Sequence, residues 1–167
     1  QVLMKEVHAY TSDQSLLDHV HRDPRRGRAA AQNIVPTTSS AIGAVQKVLP
    51  QLAGRISGDS IRVPTLNVAM VDLTLALRRT PTVAEIDRLF EQASEQQPAL
   101  FGYNTEQLVS SDFNHRPESA IYDATQTRIQ GDLVHIVAWY DNEWGYANRL
   151  LDLVDWLAHN NHTSLDS

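Results

Sequence analysis

Apolar and polar positions alternate from the first residues. In QVLMKEVHAY, Val2, Met4 and the stem of Glu6 fall on one side and Leu3 and Val7 on the other, the two-residue period of a strand. The chain enters in mid-strand, which leads us to expect further sequence upstream. From Thr11 to Arg28, TSDQSLLDHVHRDPRRGR is polar and charged with neither a helical nor a strand period, and predicts a loop. Loops of this length are uncommon in compact domains and are often functional. Beyond Pro36, TTSSAIGAVQKVLPQL carries apolar residues at 41, 42, 45, 48, 49 and 52 behind Ser and Thr capping candidates, so a helix is predicted that stops near Pro50.

SIRVPTLNVAMVDLTLAL is rich in β-branched residues and alternates from Val68 to Leu77, predicting a short strand, a bend at Pro64 and a longer strand. In TPTVAEIDRLFEQASEQQ, a capping box from Thr82 to Glu85 precedes Val83, Ile86, Leu89, Phe90 and Ala93 on one helical face. QLVSSDFN, SAIYDATQT and DLVHIVAWY read as three further strands, joined by the turn-like NHRPE and QGD. A last helix is predicted from Trp144 to His159, with Tyr146, Leu150, Leu153, Val154 and Leu157 at helical intervals, before a polar tail over 160–167. Long alternating strands with a few helices and no regular βα order indicate an α+β domain, a mostly antiparallel mixed sheet covered by helices.

Composition narrows the possible functions. The 167 residues are 42% apolar and can bury one core, so a single domain is expected over 1–159. A net charge of -6 and a pI near 5.6 argue against nucleic-acid binding, which needs clustered Lys and Arg in excess. No apolar run approaches about 18 residues and no leader pattern is present, so neither a membrane span nor a signal peptide is expected. The chain has no cysteine, which excludes disulfides, thiolate metal sites and a cysteine nucleophile on these residues. His8, His19, His21, His115, His135, His159 and His162 lack the spacing of a zinc site, so no metal is expected. No glycine pattern for a dinucleotide or phosphate loop occurs, and no internal repeat.

The remaining groups that carry chemistry are few. His8 stands near the end of an apolar strand before the polar AYTSDQ, which fits either a core histidine or a general base facing a loop. Arg62 lies in the apolar strand IRVPT, where a guanidinium must meet a carboxylate, a phosphate or a solvent cleft, and Asp72 is one possible internal partner. Arg28 follows Arg25 and Arg26, a cluster that is either an exposed loop face or an anion site. Thr11, Thr37, Thr38, Ser39 and Ser40 add hydroxyls, and a hydroxyl-rich helix start seats oxyanions well. The segment WYDNEWGYANR gathers aromatic and amide groups where a helix begins, as a buried helix start or a ligand site would.

In order and spacing, HAYTSDQ, RRGRAAAQNIVPTT, RVPTLNVAMVDL, SSDFN and WYDNEWGYANR resemble the second half of phosphorylating glyceraldehyde-3-phosphate dehydrogenases, from about Met4 to Leu157. DFNHRPESAIYDATQTR is also similar to the erythrose-4-phosphate branch, whereas HAYTSDQ keeps the threonine typical of the glyceraldehyde-phosphate enzymes. The resemblance implies a cytoplasmic homotetramer that oxidises a sugar-phosphate aldehyde with NAD and inorganic phosphate through a cysteine thioester. NADP stays open, because that choice is made in the dinucleotide-binding half.

By resemblance His8 would be the base, Thr11 and Arg62 would hold the phosphate of the substrate, and Arg28 and Ser39 would lie near inorganic phosphate. Ser39 replaces the usual threonine, and Ser40 the usual glycine. Asn142 would hold the nicotinamide carboxamide, with Tyr146 packed against the ring. The loop from Thr11 to Arg28 would line the cofactor pocket and meet neighbouring subunits. The family cysteine should precede His8 by a few tens of residues, and these residues include neither it nor a dinucleotide-binding domain. The chain alone is therefore expected to be inactive, with its last helix lacking the surface on which it would pack. It fits a piece of a full enzyme, an excised catalytic domain, or a stand-alone scaffold. The set His8, Thr11, Arg28, Arg62 and Asn142 argues against the last of these.

Overall fold

A computed structural model describes residues 1–160. In chain order the elements are β1 (Val2–Ala9), β2 (Val35–Thr37), α1 (Ala41–Val48), β3 (Ile56–Val63), β4 (Ala69–Ala76), α2 (Val83–Gln96), β5 (Phe101–Asn104), β6 (Ala120–Asp123), β7 (Arg128–Gln130), β8 (Leu133–Tyr140) and α3 (Asn142–Asn160). The strands form one sheet in the order β2-β3-β1-β4-β8-β6-β5, with β7 also paired to β8. Only β1 with β3 and β5 with β6 run parallel. The domain is thus the α+β type expected, a mixed and mostly antiparallel sheet with three helices.

Local chemistry accounts for the elements that were legible. The Thr82 capping box forms, with Glu85 Oε2 accepting the Thr82 N–H at 2.7 Å and Thr82 Oγ1 accepting the Glu85 N–H at 3.2 Å. Of the apolar face of α2, Ile86 is buried and Phe90 stacks on Tyr122 with ring centres 4.1 Å apart, while Val83 and Leu89 stay exposed. Ile86, Tyr122 and Val134 form one core cluster under α2. Val68, Phe113 and Ile121 form another on the opposite face of the sheet.

Three expectations need correction. QLVSSDFN is not a strand: Ser110–Phe113 is a 3-10 turn, with the Asp112 carboxylate accepting the Val109 N–H at 2.8 Å and Phe113 driven into the core. The strand before Pro64 is not the shorter one, because β3 starts upstream at Ile56 and both β3 and β4 span 8 residues. Gly58 interrupts the alternation there, and β1 runs so close that a Cβ on Gly58 would lie 2.3 Å from the Met4 carbonyl oxygen. Arg62 does not pair with Asp72. Asp72 lies opposite Lys5, and Arg62 opposite His8. Positions 5 and 8 are an odd number of residues apart and point to opposite faces. Asp72 instead faces His135, with Oδ2 3.0 Å from Nε2.

β2, β5 and β7 span only three or four residues and had no legible period. α3 starts two residues earlier than expected. From Leu150 to Leu157 its apolar side chains are exposed, uncovered by any described residue. The tail beyond Asn160, with His162, lies outside the described residues. Among the described residues no helix is long and apolar enough to cross a membrane, and no group of three His, Cys, Asp or Glu is placed to hold a metal.

Candidate functional site

His8 sits one residue from the end of β1, half-buried and paired with Arg62 of the parallel β3. Its Nδ1 lies 2.7 Å from the Ala9 carbonyl oxygen. A carbonyl only accepts, so Nδ1 carries the proton and Nε2 presents its lone pair. The Tyr140 ring stands edge-on to the imidazole, centres 6.4 Å apart. His8, Thr11, Asn67 and Asn142 line one cleft although they come from three separate segments. Thr11 is held there by the buried Gln14, whose Oε1 accepts its N–H at 2.8 Å and its hydroxyl at 3.2 Å.

Asn142 is placed by its neighbour. Asp141 is buried, its Oδ1 accepting the Trp144 N–H at 2.9 Å and its Oδ2 the His115 N–H at 3.0 Å and the Asn67 amide at 2.8 Å. Burial pushes its carboxyl up, but those donors more than offset it and hold the group below the usual aspartate range. A depressed native value stabilises the fold above the ordinary pKa of about 3.9, and that contribution is lost as pH falls through the native value. Asp141→Ala should destabilise the chain by about 2 to 4 kcal/mol at neutral pH, a melting point lower by about 5 to 15 °C. The gap should close on acidification. Equal melting of both proteins at pH 7 would remove Asp141 as the anchor of α3. Gly145 lets this first turn approach the 118–119 backbone, where a Cβ would lie 3.2 Å from the Glu118 carbonyl oxygen.

A second cleft lies beside the end of β2, lined by Arg25, Thr37, Thr38 and Ser39 among others. Arg62 links the two clefts, its Nε donating to Thr37 Oγ1 and its Nη1 to the Ala9 carbonyl, both at 3.4 Å. These bonds are long, and no carboxylate reaches ion-pair distance of the guanidinium among the described residues. Its charge remains largely available to an anion.

Arg28 is exposed and held by Asp18, with Nε 3.2 Å from Oδ1. Of the three arginines, Arg26 is the one that reaches a hydroxyl beside β2. Its mostly buried side chain donates to Thr38 Oγ1 at 3.1 Å and is braced by Asp13 and Asp23. Ser40 is exposed and caps nothing; Ser39 Oγ instead accepts the Ala41 N–H at 3.2 Å. Tyr146 lies one turn along α3, 66% exposed and outside the Asn142 cleft.

Glu6 was not among the candidates. It lies two residues before His8, hence on the same face, and its Oε1 accepts the Tyr140 hydroxyl at 2.5 Å while Oε2 accepts that of Ser39 at 3.3 Å. Burial raises its pKa, but the Tyr140 hydrogen bond and the nearby charge of Arg62 are among the effects that leave it lowered. Tyr140 is correspondingly raised, by burial first and by Glu6 second. The sheet period could have grouped Glu6 with His8, but nothing local announces its partners.

Residues 1–142 match the family model described as glyceraldehyde 3-phosphate dehydrogenase, C-terminal domain. The chain is 53% identical over 150 residues to glyceraldehyde-3-phosphate dehydrogenase of Pseudomonas aeruginosa, covering 90% of this chain and 45% of the relative. It is 48% identical over 158 residues to the chromosomal enzyme of Cupriavidus necator, covering 94% and 47%. To glyceraldehyde-3-phosphate dehydrogenase 1 of Bacillus subtilis it is 44% identical over 158 residues, covering 93% and 47%. The chain spans about half the length of these relatives.

Proposed function

Because this chain belongs to the glyceraldehyde-3-phosphate dehydrogenase C-terminal domain family, we propose that it is the catalytic portion of a phosphorylating dehydrogenase that oxidises glyceraldehyde 3-phosphate. The observation that carries this is the convergence of His8, with Nε2 free to take a proton, with Thr11 and Asn142 in one cleft beside Arg62, which makes no ion pair among the described residues. Thr11 and Arg62 bind the phosphate of the aldehyde and set its carbonyl near the imidazole. His8 Nε2 accepts the thiol proton of a cysteine supplied by another segment, since these residues contain none, gives it to the aldehyde oxygen as the adduct forms, and takes it back from the adduct hydroxyl as hydride leaves. NAD would supply the hydride acceptor when bound, and Asn142, which lines the same cleft, would hold its carboxamide. Inorganic phosphate enters the cleft of Thr37, Thr38 and Ser39, with Arg26 beside it, and releases the acyl group.

The exposed Leu16, Leu17 and Val20 of the long loop support a homotetramer, and the bare apolar side of α3 supports a covering dinucleotide-binding domain. The test is NAD reduction by the complete protein with glyceraldehyde 3-phosphate or erythrose 4-phosphate, with and without inorganic phosphate. Phosphate-dependent turnover of the three-carbon aldehyde is expected. Preference for the four-carbon aldehyde would move the chain to the neighbouring branch, and no turnover with either would leave a scaffold.

A further inference from the structure

Three consecutive hydroxyls leaving β2 are each tied to a charged side chain, and the ties differ in sense. Thr37 Oγ1 accepts from Arg62 Nε at 3.4 Å and Thr38 Oγ1 accepts from Arg26 Nη2 at 3.1 Å, so each keeps its own proton to donate. Ser39 is the reverse. Its hydroxyl donates to Glu6 Oε2 at 3.3 Å and accepts the Ala41 N–H at 3.2 Å, which consumes its proton and one lone pair. All three residues line one cleft, which therefore offers two hydroxyl donors and one hydroxyl acceptor. Glu6 cannot readily turn away, because Tyr140 holds its other oxygen at 2.5 Å. An ionised carboxylate only accepts, so Ser39 gives its proton to an anion only by giving up its 3.3 Å bond to Glu6.

We propose that Glu6 is a specificity-determining positioning residue that, through Ser39, makes this cleft select an oxyanion bearing a proton, phosphate or arsenate, against sulfate, which bears none. The proposal rests on taking the cleft as the inorganic-phosphate site. Hydrogen phosphate donates its P–O–H to the remaining lone pair of Ser39 while its other oxygens accept from Thr37 and Thr38. Sulfate sets a lone pair against that lone pair, and discrimination comes from this built-in repulsion.

The experiment uses initial rates of NAD reduction in the complete protein, at fixed aldehyde, with phosphate or arsenate varied and sulfate competing. The sulfate inhibition constant should exceed the phosphate KM by about tenfold, the worth of one hydrogen bond, and arsenate should behave as phosphate does. In Glu6→Gln, Tyr140 holds the amide oxygen, so the amide nitrogen faces Ser39 and donates to it. Ser39 is thereby released to donate into the cleft. Sulfate inhibition should then tighten about tenfold relative to the phosphate KM. A purely structural Glu6 would weaken both anions together and leave their ratio unchanged, which would overturn the proposal. So would equal affinity for sulfate and phosphate in the unmodified protein. Should Glu6→Gln not fold, Ser39→Ala decides: the gap between the anions should narrow, and an unchanged gap refutes it. Turnover that needs no phosphate would instead bring down the site assignment itself, and this proposal with it.

Discussion

His8→Asn should lower kcat of the complete protein by about a hundred- to ten-thousand-fold, the usual worth of a positioned general base. Asparagine can keep a hydrogen bond to the Ala9 carbonyl with its amide, so the strand end should hold its shape. It has no lone pair basic enough to replace Nε2. The loss should therefore fall on turnover, with cofactor affinity and melting temperature little changed. A variant with normal turnover would remove His8 from the mechanism. A variant that melts well below the parent would show instead that the ring is chiefly a packing element against Tyr140.

Arg62→Leu has the second largest expected effect, a rise in KM for the phosphorylated aldehyde of about 10- to 100-fold, as for the loss of hydrogen bonds to a charged group. The guanidinium is held by two bonds of 3.4 Å, to a hydroxyl and a carbonyl, so its donors are only weakly engaged. Leucine fits between Ile61 and Val63 along β3 and should preserve the strand. The decisive comparison is unphosphorylated glyceraldehyde. If Arg62 binds the phosphate group, KM for that aldehyde stays where it was. An equal rise for both aldehydes would mean that the substitution has disturbed the cleft through Glu6, whose charge Arg62 partly balances.

Much of the site was legible because its members lie in short stretches with strong local character. HAYTSDQ closes an alternating strand, RVPTLNVAMVDL puts a cation in an apolar run, and WYDNEWGYANR marks the start of a helix. The cluster of arginines was visible, but which of them would face the hydroxyls was not. Arg26 does so because Asp13 and Asp23 brace it, while Asp18 draws Arg28 outward. The loop from Thr11 to Arg28 has no period from which such a choice could be read. Glu6 illustrates the same limit across a greater span, since its Tyr140 partner is 134 positions away.

What the sequence by itself determined are features whose causes are neighbours along the chain. These are the alternation of β1, β4 and β8, the capping box of α2, and the exclusion of any thiol chemistry on these residues by the absence of cysteine. Only the tertiary structure decided the pairing of β2, β5 and β7, the turn at Ser110–Phe113, the face on which Asp72 lies, and the sense of each hydroxyl beside β2. A three-residue strand is held by the ladder its partner offers, and a side-chain hydrogen bond takes its direction from whichever charged group the sheet register brings alongside.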